Sequence, residues 1–99
     1  MAEKSRILIG PAGTGGSKLE NFEALKKAGI DAVEIEFVYG VWMTKEDAVK
    51  IAELNKKLKL ALSIHAPYYI NLNSQEKQKI GASRARILKC LEIGTLLGV

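Results

Sequence analysis

The sequence predicts an α/β fold of parallel strands, the N-terminal (βα)3 portion of a TIM (β/α)8 barrel. Three observations carry this expectation. Short apolar runs alternate with amphipathic helical segments in the order βαβαβα, which requires parallel strands joined by right-handed helical crossovers. The middle run, "DAVEIEFVYG", alternates strictly, with Val33, Ile35 and Phe37 on one face and Glu34 and Glu36 on the other. Strands of a doubly wound sheet are covered on both faces and read as near-continuous apolar runs, whereas the inner face of a barrel admits polar side chains near its mouth. The competing reading of the same pattern is an edge strand with one wet face. Residues 1–99 read as a single partial domain, the first three βα units of a larger barrel.

Each element has a local reason. Arg6–Ile9 is a short apolar run closed by Gly10 and Pro11, so it reads as the first strand, and "GPAGTGG" follows as a loop. Ser17 and Glu20 have capping-box spacing and would open a helix bearing Phe22, Leu25 and Ala28 on one face. Gly29 suits the left-handed position after that helix, with Ile30 packing back on Leu25. The alternating strand through Phe37 comes next. Thr44, with Asp47 three residues on, starts a second helix through Ile51, Leu54 and Leu58. "LALSI" is the third strand and ends at His65. Ser74 is the expected cap of a third helix through Ile80, Ile87, Leu88 and Leu91, ending near Gly98.

Composition narrows the function classes. Hydrophobic residues make up 47% and charged residues 26%, which is ordinary for a globular domain and argues against disorder. No apolar run approaches the roughly 20 residues needed to cross a bilayer, and "MAEKSRILIG" lacks a signal-peptide core. A single cysteine, Cys90, rules out an internal disulfide, and a cytoplasmic location is the expectation. Cys90 sits mid-helix beside Leu88 and Leu91 and reads as a small core residue. The net charge of +4 does not itself indicate nucleic acid. Lys56, Lys57 and Lys59 cluster before the third strand, on the face opposite the usual active site of a βα architecture.

Several residues are candidates for chemistry. Gly10, Gly15 and Ser17 fall at P-loop spacing, but position 16 is glycine where the phosphate-binding lysine is required, which excludes nucleotide hydrolysis of that type. The loop remains a candidate for close ligand approach through its backbone N–H groups. Tyr39, Trp42, Tyr68 and Tyr69 all lie in the loops after the second and third strands, which share the functional C-terminal face of a barrel. Such rings either stack on bases or fold down to cover the barrel top. Lys18, Lys45 and Lys77 each begin a helix, where a cation opposes the macrodipole; an anionic ligand would explain them, and so would offset by Glu20, Glu46 and Glu76. His65, the one histidine, ends a strand at the mouth, a position favoured by metal ligands and acid–base residues. On physical grounds alone it divides between a ligand and a hydrogen-bonded structural residue.

"SIHAPYYINLNS" closely resembles the third-strand motif of the endonuclease IV family of abasic-site endonucleases, one of the xylose-isomerase-like barrels. The resemblance extends over the Gly-Gly loop, "GIDAVEIEFVYG" and "ASRARILKCLEIGTLLGV". It implies a DNA-repair hydrolase that cleaves the phosphodiester 5′ to abasic sites with about three zinc ions. It further implies that His65 is a zinc ligand and that Tyr68 enters the DNA at the damage, with Asn71 and Leu72 completing the motif. Trp42 corresponds to part of the DNA-contacting second loop, and Tyr39 is available to substitute for the arginine and glutamines that bacterial members carry there. The first loop, "GPAGTGG", lacks the histidine and serine of a typical member. The 99 residues alone are expected to be inactive and to self-associate, since the other ligands belong to later strands. The alternatives are a metal-dependent sugar isomerase or epimerase on the same barrel, with Glu34 or Glu36 near a divalent metal, and an inert half-barrel fragment.

Overall fold

The computed structural model describes residues 6–99. Five elements follow in order: α1 (Leu19–Lys27), β1 (Ala32–Glu36), α2 (Lys45–Leu58), β2 (Ala61–His65) and α3 (Lys77–Leu97). β1 and β2 pair in parallel, in a register that sets Ala32 opposite Ala61 and Glu36 opposite His65. Parallel neighbours need a crossover, and α2 supplies it.

The first expected strand is not where the sequence placed it. Arg6–Ile9 is irregular, with Ile7 and Ile9 exposed, and contact with β1 comes only at the residues after it. The Glu34 N–H donates to the Pro11 carbonyl at 3.1 Å, and the Gly13 N–H donates to the Glu34 carbonyl at 2.8 Å. The bridge pairs Ala12 with Glu34. Carried back along that register, Arg6–Ile9 would lie opposite the turn that ends α1, which offers no ladder of hydrogen bonds. Gly10 comes so close to the Ala32 carbonyl that no Cβ could be accommodated there. The chain is therefore held beside β1 at a glycine and a proline, and the apolar run before them pairs with no strand among the described residues.

The end of α1 follows expectation. The Ile30 N–H returns to the Leu25 carbonyl and the Gly29 N–H to the Lys26 carbonyl, each at 3.0 Å, with Gly29 at φ +86°. This is a Schellman closure, and Ile30 and Leu25 both pack on the core. The start of α1 does not follow. Its N-cap is Lys18, with no side-chain cap, and Ser17 instead donates across to the Asp47 carboxylate at 3.1 Å. Ser17 thereby ties the first loop to the beginning of α2.

α2 begins as expected, with the Thr44 hydroxyl accepting the Asp47 N–H. It ends on Lys59 in the left-handed conformation, an unusual place for a side chain with a Cβ. Asn55 holds that turn, because its amide bonds both the N–H and the carbonyl of Leu60. In α3 the cap is Glu76, with no side-chain bond; the Ser74 hydroxyl accepts the Glu76 N–H from just before the helix.

Val33, Ile35 and Phe37 are buried beneath the helices with Phe22, Ala48, Ile51, Ile93 and Leu97. Each large side chain removed from water here contributes about 1.5–3 kcal/mol. The buried stripe of α3 is Ser83, Cys90, Ile93, Gly94 and Leu97. Leu88 and Leu91, two of the apolar positions that mark this helix in the sequence, are exposed. Gly94 explains part of this rotation: a Cβ there would meet the Ile64 Cδ1 at 3.2 Å, so the glycine lets the helix lie close on β2. Beyond the free edge of β2, Ile64, Ala66, Cys90, Leu91 and Val99 line an apolar groove of about 300 Å³. No helix among the described residues is long and apolar enough to cross a membrane.

Candidate functional site at the strand C-termini

The alternation of β1 and β2 places Glu34, Glu36, Ser63 and His65 on the sheet face turned away from the helices. Glu36 and His65 are direct register partners at the C-terminal ends of the strands. Pairing continues past them, since the Phe37 N–H donates to the His65 carbonyl at 2.9 Å and the Tyr68 N–H to the Val38 carbonyl at 3.1 Å. The two loops that follow are thus clamped side by side.

The carboxyl groups of Glu34 and Glu36 lie within hydrogen-bonding reach. That bond raises the Glu36 pKa above the ordinary carboxylate value, with further upward contributions from lost hydration and from the Glu34 charge; His65 pulls it the other way. Glu36 also borders the first loop, where a Cβ on Gly13 would approach its side chain. His65 is exposed, and its Nδ1 lies 2.6 Å from the Ala66 carbonyl oxygen. A carbonyl can only accept, so Nδ1 carries the proton of the bond, and in the neutral ring Nε2 keeps a free lone pair. Metal-binding histidines are commonly held in this way by a backbone carbonyl. One imidazole is not a metal site. Among the described residues no group of three His, Cys, Asp or Glu side chains is placed to hold a metal ion. The fit to zinc is therefore that of a single preorganised ligand beside a carboxyl pair.

The aromatic residues separate into two kinds. Trp42 folds down: its Nε1–H donates to the Glu36 carbonyl at 2.7 Å and its ring meets Phe37 edge-on, with centroids 5.5 Å apart. Tyr39 and Tyr68 stand out of the surface, 87% and 67% exposed. They meet edge-to-face at 5.9 Å, and Tyr68 meets Tyr69 in the same manner at 5.3 Å. The Tyr69 hydroxyl donates to the Tyr39 carbonyl at 3.3 Å, joining the two loops. Gly40, at φ +133°, turns the chain beneath that hydroxyl.

Two residues of α3 complete the site, and sequence reasoning singled out neither. Ser83, almost fully buried, accepts the Asn71 N–H at 2.9 Å and so ties the His65–Asn71 loop to the helix. The Arg86 guanidinium sits over the Tyr69 ring, 4.7 Å from its centroid. The available signal was a serine on the inward stripe of a helix and an arginine one turn later, in "ASRAR".

Of the helix-start lysines, Lys45 is bonded to Glu92 of α3 at 2.6 Å rather than to Glu46. Glu76 pairs with Lys79 rather than with Lys77. Cys90 is buried, and burial pushes its thiol pKa up.

A family model described as a xylose isomerase-like TIM barrel matches residues 22–99. An uncharacterized protein of Methanocaldococcus jannaschii is 36% identical over 96 residues, an alignment covering 94% of this chain. The chain spans about a third of that relative's length (34%).

Proposed function

The chain belongs to the xylose isomerase-like TIM barrel family, and we propose on that premise that it is the N-terminal part of a zinc-dependent DNA-repair endonuclease acting at abasic sites. The observation that carries this reading is the arrangement around His65. Its imidazole is pinned through Nδ1 at the end of β2, and the same loop raises Tyr68 into solvent against Tyr39. A ligand nitrogen and exposed stacking rings on one short loop suit an enzyme that holds a metal while gripping a nucleic acid.

In this reading His65 contributes one zinc ligand through Nε2, and later strands of the barrel supply the others. Zinc, when bound, would polarise a phosphoryl oxygen and lower the pKa of bound water. Tyr68 and Tyr39 would hold DNA opened at a missing base, where the unstacking cost is least. Trp42 would stiffen the second loop from below through its bond to Glu36. The second reading is a metal-dependent sugar isomerase or epimerase, and the Glu34–Glu36 carboxyl pair beside His65 favours it.

Metal analysis and activity on the full-length protein separate the two. The repair reading expects about three zinc ions per protein and nicking of a duplex that carries one abasic analogue. One or two divalent ions with interconversion of sugars and no nicking would overturn it in favour of the isomerase. The 99-residue chain alone is expected to nick nothing, since one histidine cannot hold a multi-zinc cluster; nicking by that chain with added zinc would also refute the site assignment.

A further inference from the structure

We propose that Arg86 binds a backbone phosphate of the nucleic acid and positions Tyr69, so that Tyr39, Tyr68, Tyr69 and Arg86 act as one recognition strip. This rests on the DNA reading above and adds a residue and a contact type to it. The strip crosses three parts of the fold: the loop after β1, the loop after β2, and α3. Consecutive tyrosine rings stand nearly perpendicular, at 84° and 85°, with centroids under 6 Å apart. That spacing leaves no slot for a base between the rings, so bases can stack only on their open outer faces.

Arg86 closes the Tyr69 end of the strip. Among the described residues no carboxylate lies within ion-pair distance of its guanidinium, although lysines of the same helix are paired with Glu76 and Glu92. An arginine placed over an aromatic ring keeps N–H donors at its edge, and their fork matches a phosphate. The cation also holds Tyr69, which is bonded to the Tyr39 backbone and packed against Tyr68. Loss of Arg86 therefore removes a charge contact and loosens the neighbouring rings.

The two roles respond differently to salt. A phosphate contact releases counterions, so its removal flattens the dependence of affinity on salt; a packing contact does not. The experiment is a fluorescence-anisotropy titration of the full-length protein at several KCl concentrations. The probes are a short duplex with one tetrahydrofuran abasic analogue, and its undamaged counterpart. Arg86→Ala should make the slope of log K against log salt shallower by about 0.9, equally on both probes. Arg86→Lys should restore the slope while leaving the tyrosine NMR shifts disturbed, because a lysine keeps the charge without the planar group. If wild type binds and Arg86→Ala lowers affinity with an unchanged slope, Arg86 is a packing residue and the proposal falls while the DNA reading stands. If wild type binds neither probe, both fall together. Thermal melting of each variant identifies any loss that comes from unfolding, and Arg86→Gln, which keeps a planar group over Tyr69 without the charge, then carries the comparison: a slope equal to wild type would overturn the phosphate contact.

Discussion

Replacing Ser83 by alanine tests whether the loop bearing His65 and Tyr68 is held in place from α3. The Ser83 side chain is 1% exposed, and its hydroxyl accepts the Asn71 N–H at 2.9 Å. Alanine removes the acceptor and leaves a void of only one oxygen, far smaller than that of a large-to-small core substitution. The dominant loss is the unpaired amide. An orphaned donor costs about 1–3 kcal/mol, and since Asn71 itself lies on the exposed side of the loop, water meets part of its need. The expected destabilisation is about 1–2 kcal/mol, with exchange of the Asn71 amide hydrogen accelerated roughly 5- to 30-fold. Urea denaturation of the full-length protein measures the first and hydrogen exchange the second. Ser83→Thr keeps the hydroxyl but adds a methyl group in a filled space, at about 1–3 kcal/mol, so it should destabilise while the Asn71 amide stays protected. Unchanged stability in Ser83→Ala, with Asn71 still protected, would refute this account of the loop.

Three further outcomes follow from the same geometry. Tyr68→Ala should weaken binding to abasic duplex by about 1–3 kcal/mol with metal content unaltered, and equal affinity in titration would remove Tyr68 from the site. The Lys45–Glu92 pair predicts a pH dependence. The Glu92 pKa is lowered from 4.5, first by its bond with Lys45 and then by the Lys45 charge, so its contribution is present above 4.5 and lost as pH falls through the depressed value. The Lys45 pKa is raised from 10.5 by the Glu92 bond, so its contribution is present below 10.5 and lost as pH rises through the elevated value. Glu92→Gln should flatten both limbs of the stability–pH curve, and superimposable curves would contradict the pairing. Burial raises the Cys90 thiol pKa, so a thiol-specific reagent at neutral pH should label it slowly until the protein is unfolded, and fast native labelling would place it at the surface.

The elements that were legible before any coordinates were those whose cause lies within a few residues. The Thr44 cap, the closure by Gly29 and Ile30 over Leu25, and the alternation from Val33 to Phe37 each depend on neighbours at fixed short spacing. His65 at the end of a strand followed from the same pattern. Ser17 shows where that reasoning stops. Its spacing to Glu20 suits a local cap, yet its hydroxyl reaches Asp47, which no sequence period connects to it.

The sequence by itself determined that this chain alternates helices with parallel strands, and that Glu34 and Glu36 share one strand face, because side-chain direction is set residue by residue along the backbone. Tertiary structure alone decided that Arg6–Ile9 finds no strand partner among the described residues, that α3 turns Ile93 inward and Leu88 outward, and that Arg86 meets Tyr69. Each of these depends on how separate elements approach one another. A strand needs a facing ladder, a helix turns its small residues where the sheet comes closest, and a guanidinium finds a ring on a loop that only the packed fold brings within reach.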